Sequence, residues 1–528
     1  MTHWDELIIV AVIGLVVAVI GFGASRWRRA DLNNLEEWGL AGRGFGTIVT
    51  WFLLGGDLYT AYTFVAVPGV VFALGAYGLF ALPYTIIVYP LVFLTMPRLW
   101  QVSRNKGYVT GSDYVRDRFD SPFFALLIAL TGILATMPYI ALQIFGIKVV
   151  LANIGISPEV ALIVAFVVLA VFTYVSGMRA PALIAIVKDS LIWLVVIVAV
   201  IYIPYKLGGF ASIFSKVEHA AAAAPVGKGK PDVLQPSLFN AYSSIALGSA
   251  LALFLYPHSL TGVLSAQSQR TIKRNASFLP AYSFLLGMIG LLGFMAIAAG
   301  VKPSAEFGNN SAIADLFQKM FPSWFTGVAF AAIAVGALVP AAVMSIAAAN
   351  LFSRNIWREY IHPRMSPGEE ATVSKVVSLL VKVGALVFIL ALPTTDIINF
   401  QTAGGVWMIN ALPALIVALY VKRLNVWAMV VGWAAGMGLG TYALIQEKFA
   451  TSLHDFGFGL GLGKIYIGFA AIAVNLVVVV VGSALAAVVG KSTPGNLSEE
   501  DYRMPAAGEA DRPPVVQPMA PPVTGGTA

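Results

Sequence analysis

The chain has 528 residues, of which 59% are hydrophobic and 11% charged, with a net charge of +7 and a mean hydropathy of +0.83. A soluble domain carries about 25% charged residues, so a soluble fold is excluded and an all-α polytopic membrane protein is expected. There is no cysteine, hence no disulfide, thiolate metal site or cysteine nucleophile, and the five histidines are scattered without metal-ligand spacing. The alternating segments of about ten residues that a membrane barrel needs are absent.

Apolar runs long enough to cross a bilayer predict thirteen transmembrane helices, at 5–24, 46–70, 74–97, 123–152, 158–176, 183–204, 238–260, 279–300, 323–353, 376–394, 400–420, 424–445 and 465–490. The first run starts MTHWDEL, without a basic leader, and its positive charges follow at Arg26, Arg28 and Arg29. That predicts a retained span with the N-terminus outside. The remaining basic residues repeat the pattern. Arg43, then Arg98 to Arg118, then Arg270 to Arg274, Arg354 to Arg364 and Lys422 with Arg423 fall on alternate loops. Those loops are assigned to the cytoplasm. The segment HAAAAAPVGKGKPD is low in complexity and reads as a mobile outer loop. The Pro-rich stretch 491–528 reads as a disordered cytoplasmic tail.

The second run carries the most chemistry. WFLLGGDLYTAYTFVAVPGVVFALGAYG combines Gly55, Gly56 and Asp57 with the hydroxyls of Tyr59, Thr60, Tyr62 and Thr63 and with a Pro68-Gly69 pair. A carboxylate inside a span faces a protein interior or an aqueous cavity. Adjacent glycines let the backbone leave the helix, which lipid forbids unless the freed groups line a site. A broken helix of this kind is how secondary transporters build ion and substrate sites. The alternative is a kinked span whose Asp57 pairs with a polar neighbour.

Span four carries Gln143 and Lys148. Lys148 lies near the outer boundary, so it either snorkels to water or attracts an entering anion. Lys188 and Asp189 are adjacent, point about 100° apart on a helix and need not pair; they read as interfacial. In span seven, Gly248 marks either a second break or a close helix contact. His258 is either a proton-handling group or a structural histidine.

Several segments together resemble a known family. EEWGLAGRGFG, the broken span and SDYVRDRF, followed by VSGMRAPALIAIVKD, PAAVMSIAAANLFSRNIWREY and INFQTAGGVWMINALPALIVALYVKRLN, are similar to the sodium/solute symporter family over roughly residues 35–490. GGDLYTAYTFVAVPG, LFLYPHSLTGVLSAQSQRTIKRN and ALVPAAVMSIAAANLFSRNIW look most like its bacterial monocarboxylate permeases. The resemblance implies a LeuT-type core of five spans inverted against five, with repeat one at 46–204 and repeat two at 238–420. The core as a whole would cover 35–423. An extra helix and basic loop (1–34) would precede it, and two further helices (424–490) would follow.

The implied function is import of small monocarboxylates such as lactate, pyruvate, acetate or propionate, driven by a cation gradient, across the inner membrane of a bacterium. Another small solute, such as an amino acid, or a transport-derived sensor are the alternatives. No enzyme chemistry, cofactor, nucleic acid or obligate protein partner is expected beyond substrate and bilayer. The coupling ion is proton or sodium.

In the family, sodium lies between carbonyls of the first broken helix and two adjacent hydroxyls of the ninth span. Aligning AAVMS offers Ser345 followed by Ile346. Counting back from LFSRNIW offers Val339 and Pro340 instead. Gly56, Asp57 and Ser345 are the implied cation-coupling set, with a sodium site at Asp57 and Ser345. Tyr59, Thr60, Tyr62, Thr63, Gln143, Lys148 and Gln401 are the implied substrate set.

Overall fold

Within a bilayer every backbone N–H and C=O must find its partner inside the protein, so the apolar runs fold as helices. The structure is a computed structural model that describes residues 3–24, 33–225, 229–392, 397–457, 461–491 and 495–504. In chain order the first helices are α1 (Trp4–Ala24), α2 (Leu35–Leu40), α3 (Thr47–Leu58), α4 (Val67–Leu74), α5 (Ala81–Lys106), α6 (Gly111–Phe119) and α7 (Pro122–Asn153). Then follow α8 (Pro158–Ser176), α9 (Arg179–Leu207), α10 (Phe210–Ala223), α11 (Phe239–Leu253), α12 (Pro257–Leu264), α13 (Gln269–Phe278), α14 (Pro280–Ala298) and α15 (Ala312–Met320). The rest are α16 (Ser323–Phe352), α17 (Pro367–Ala391), α18 (Ile398–Met408), α19 (Leu412–Leu415), α20 (Val426–Gln446) and α21 (Ile467–Val488). A two-residue hairpin pairs β1 (Leu453–His454) with β2 (Ile465–Tyr466).

Among the described residues ten helices are long and apolar enough to span a membrane, or eleven if the bent pair α11–α12 is one span. Two of the thirteen runs, the second and the fifth, are not counted separately among these. The second run is interrupted into the short α3 and α4, and α4 gives way to α5 through a turn at Gly75 (φ 65°, ψ −140°) and a 3-10 stretch, Gly75–Phe80. The fifth run is α8, whose stretch of fully described residues, Pro158–Val171, is short of a spanning length.

The centre of the molecule is α16, which packs against α1, α7, α9, α12 and α17. Its sequence is dense in Ala and Gly, which lets neighbouring backbones approach closely. Nearly all of α16 is buried, whereas α1 exposes most of its apolar surface, as a peripheral helix facing lipid must.

Two spans are broken. The first bends between α3 and α4, through Tyr59 (φ −92°, ψ 89°) and a π turn at Tyr62–Ala66. The second bends by 47° between α11 and α12. Gly248 is not the second break. A Cβ there would lie 2.4 Å from the Tyr466 ring, so its role is close packing. The chain turns at Phe254–Tyr256 instead, where Pro257 opens α12 and has no N–H to continue the α11 ladder. Beyond the breaks, a parallel bridge between Phe45 and Ala266 stitches the entry to α3 to the exit from α12. It is made by Phe45 N–H to the Ser265 carbonyl (3.2 Å) and Gln267 N–H to the Phe45 carbonyl (2.9 Å). Arg43 reinforces it by donating to the carbonyls of Leu264 and Tyr108.

The low-complexity segment is partly folded. Its alanines extend α10, and Pro231 accepts a hydrogen bond from Ala76 N–H (2.8 Å). Residues 226–228 lie outside the described residues, as do Arg26, Arg28 and Arg29. The tail is not wholly loose either. Residues 505–528 lie outside the described residues, but 495–504 dock on the face that carries Arg98, Lys106, Arg118 and Lys422. Glu499 pairs with Arg98 (2.9 Å) and Lys422 (3.0 Å), Asp501 pairs with Lys106 (2.9 Å), and Tyr502 lies under the Arg98 guanidinium.

Hydrogen bonds from Arg98 and Lys422 hold the Glu499 carboxyl below the ordinary carboxylate range. A depressed carboxylate contributes stability above its unfolded pKa and loses it as pH falls through the folded one. Docking of 495–504 is therefore expected to loosen on acidification through and below the carboxylate range, and at neutral pH in Glu499→Gln. Hydrogen exchange across 495–504 measures both; unchanged protection in both would show that these pairs do not hold the tail.

Candidate functional site at the first helix break

Interrupting α3 frees backbone groups at mid-molecule, and each can be followed to its new partner. Ala61 N–H donates to Gln143 Oε1 (2.9 Å) and Tyr62 N–H to Thr60 Oγ1 (2.9 Å). Thr60 N–H makes a long contact with Thr63 Oγ1 (3.5 Å). On the acceptor side, Lys188 Nζ donates to the carbonyls of Gly56 and Tyr59, at 2.9 Å each. Lys188 is thus not interfacial. It and Asp189 are fully buried and paired, 2.6 Å apart. The flexible stem turns the ammonium toward its neighbour although the two Cβ atoms diverge. Asp189 also accepts from the Tyr282 hydroxyl (2.8 Å), and the Tyr59 hydroxyl donates to the Tyr282 carbonyl (2.7 Å).

The glycines make room for this network. A Cβ on Gly55 would lie 2.2 Å from the Tyr282 ring, and one on Gly56 would crowd Lys188 Nζ at 3.1 Å.

Asp57 faces the other broken span. Its Oδ2 accepts from Ser259 Oγ (2.7 Å), and its Oδ1 lies 3.5 Å from His258 Nε2. His258 is buried at the start of α12, its ring against those of Tyr139 (5.4 Å) and Tyr256 (5.3 Å). Gly56, Asp57 and His258 border a small cavity closed by Leu53, Leu54, Gly262, Val339, Pro340 and Val343. The two broken spans therefore meet through Asp57, Ser259 and His258.

Tyr139 and Gln143 sit one turn apart on α7, facing the break. Tyr139 reaches the Thr60 side chain and stacks edge-on against Tyr256, whose hydroxyl donates to the Gln401 carbonyl (2.9 Å). Tyr62 is buried edge-on to Tyr84. Of the buried amide atoms without a protein partner among the described residues, two belong to residues of this set: Gln143 Nε2 and Gln401 Oε1. An unmade buried hydrogen bond costs about 1–3 kcal/mol, so these atoms are suited to a polar ligand.

The structure thus gathers Gly56, Asp57, Tyr59, Thr60, Tyr62, Thr63 and Gln143 around one break, with Gln401 linked through Tyr256. Two expected residues stand apart. Lys148 pairs with Glu306 (3.6 Å) and lies over the rings of Phe145 and Phe307. The Ser345 hydroxyl donates within its own helix to the Ala341 carbonyl (2.7 Å), and Val339 and Pro340, not Ser345, border the Asp57 cavity. The geometry follows the register counted back from LFSRNIW. It does not fit a sodium ion. Sodium needs several oxygen ligands, as hard cations do; the break carbonyls are taken by an ammonium, and α16 offers apolar side chains.

A family model described as the sodium:solute symporter family matches residues 38–436. The chain belongs to the sodium:solute symporter family. It is 50% identical over 473 residues to the monocarboxylate transport permease protein of Rhizobium johnstonii, covering 89% of this chain and 95% of that one. It is 34% identical to the uncharacterized symporter YodF of Bacillus subtilis, covering 90% of this chain and 92% of that one. Among solved structures, the outward-open, substrate-bound state of a sodium-coupled sialic acid symporter matches at a TM-score of 0.72 and 17% identity. The match covers 94% of this chain and 99% of that one. The nucleobase-cation-symport-1 family transporter Mhp1 matches at 0.52 and 12% identity, covering 88% of this chain and 96% of that one. These likenesses establish the fold. As a member of this family the chain is a multi-pass membrane transporter of a small solute.

Gly55→Ala is expected to destabilise the protein by on the order of 1–3 kcal/mol, because the new methyl overlaps a ring that is itself hydrogen-bonded in place. Thermal unfolding in detergent checks it; a wild-type transition would show that the break tolerates a Cβ there.

Proposed function

We propose that this chain imports small monocarboxylates such as lactate, pyruvate, acetate and propionate, driven by a cation gradient through alternating access. The observation that carries this reading is 50% identity across 89% of the chain to a protein named as a monocarboxylate transport permease. The site is compatible with it. A small carboxylate needs one or two hydrogen-bond donors and little volume, and Gln143 Nε2 is a buried, unpartnered donor beside the break. Thr60, Tyr62 and Tyr139 add hydroxyls around it, and Gln401 Oε1 is an acceptor suited to the hydroxyl of a 2-hydroxy acid. Lys148, paired with Glu306 near one end of α7, acts on anion entry rather than on binding.

In this reading the thirteen runs are thirteen spans, the broken spans head two inverted repeats of five helices (46–204 and 238–420), and the basic loops and tail lie in the cytoplasm of a bacterium. Asp57 handles the coupling cation. It is the carboxylate that joins both broken spans through Ser259 and His258, so its charge state biases how they pack. Ser345 has no part in that step, its hydroxyl being used within α16.

Uptake of labelled lactate and pyruvate into proteoliposomes, with proton and sodium gradients imposed separately, tests the reading. Accumulation against a gradient is expected for the wild type. Asp57→Asn is expected to insert and fold but to lose gradient-driven accumulation. Accumulation by that variant at the wild-type rate would remove Asp57 from the coupling step, and no monocarboxylate uptake under either gradient would refute the substrate assignment.

A further inference from the structure

A span interrupted at mid-membrane exposes carbonyl oxygens that must be satisfied from elsewhere. A mobile metal cation is one solution used by transporters. This chain contains another. We propose that Lys188 is a tethered cation: its ammonium occupies the place where the Gly56 and Tyr59 carbonyls would otherwise hold a sodium ion, and it makes transport independent of sodium.

Four observations carry the proposal. An ammonium has three N–H donors and no acceptor; two are used here by the Gly56 and Tyr59 carbonyls, and Nζ lies 2.6 Å from Asp189 Oδ1 as an ion pair. The charge is offset locally, since Asp189 is equally buried and anchored by the Tyr282 hydroxyl. The space is full: even a methyl on Gly56 would meet Nζ at 3.1 Å. The facing stretch of α16 supplies no side-chain oxygen: Gly336 lies near the Tyr59 carbonyl and Ile192, and Val339 and Pro340 border Gly56 and Asp57. A sodium ion brought to these carbonyls would lack ligands and meet a fixed like charge in a medium that screens poorly.

The charged and titratable groups around Lys188 come from every packed element. They are Asp189 on α9, Asp57 and Tyr59 at the break, Tyr282 on α14, and His258 on α12 behind Asp57. The proposal needs none of them to titrate. It needs only that the ammonium be present and irreplaceable by a dissolved ion.

The test has two arms, and only the transport arm rests on the symport reading. In the binding arm, the purified full-length protein is unfolded thermally in sodium chloride and in choline chloride of equal ionic strength. The wild type is expected to show the same transition in both. Lys188→Ser frees the carbonyls and Asp189 for a dissolved ion, and is expected to gain a saturable, sodium-selective upward shift. Lys188→Met fills the space without a donor and is expected to show no sodium shift. A saturable sodium shift in the wild type, or its absence in a folded Lys188→Ser protein, overturns the proposal. If the serine variant does not fold, the wild-type titration decides alone.

In the transport arm, wild-type proteoliposomes are expected to accumulate labelled lactate under an inward proton gradient in sodium-free medium, and Lys188→Met is expected to lose that uptake. Uptake that requires sodium, or wild-type uptake by Lys188→Met, overturns the proposal. Absence of lactate uptake under every gradient refutes the substrate reading instead and leaves the binding arm to decide.

Discussion

The site is built around a problem of backbone chemistry: two carbonyls, on the buried residues Gly56 and Tyr59, that leave a helix inside the protein. A buried unsatisfied peptide group costs several kcal/mol in a lipid setting. The protein meets that cost with a lysine whose own charge is offset one residue later. Much else follows from this arrangement. The glycines at 55 and 56 are small because the Tyr282 ring and the Lys188 ammonium need their space. Tyr282 is placed to orient Asp189, and Tyr59 reaches back to the Tyr282 backbone. On the donor side Gln143 Oε1 receives Ala61 N–H, which fixes the amide and leaves its Nε2 without a protein partner.

The arrangement also separates two kinds of polar group that look alike in a hydropathy profile. Lys188, Asp189, Thr60 and Thr63 repair the break. Asp57, His258 and Ser259 are not needed for that repair; they connect one broken span to the other. A carboxylate that bridges two separate elements is placed to convert a change of charge into a change of packing, whereas one locked beside a lysine is not.

The class of the protein and the position of the first break are plain in the amino-acid sequence, because composition and the GGD segment leave few alternatives. The second break is less so. Gly248 carries the stronger glycine signal, yet it serves a ring contact with Tyr466, and the turn falls where Pro257 interrupts the ladder. Ser345 illustrates a register problem: a six-residue slip between two plausible alignments moves a hydroxyl from a site to an intrahelical bond. Lys188 and Asp189 read as interfacial because adjacent positions on a helix diverge; that argument concerns Cβ directions and overlooks a lysine stem long enough to curl back. The signal that identifies them is their setting, two charges embedded in the apolar run 183–204, which is costly unless specific partners await them.

The short parallel bridge between Phe45 and Ala266 has a mechanical meaning. It fastens the entry to α3 and the exit from α12 by backbone hydrogen bonds, with Arg43 as a brace. Among the described residues no backbone bond joins α4 to α11 at the other end. The two broken spans thus resemble tongs riveted at one tip. Their riveted halves form a single lever arm, while the free halves share no main-chain pairing with each other, and the bond from Ala76 N–H to the Pro231 carbonyl lies outside both, in the segments that follow α4 and precede α11.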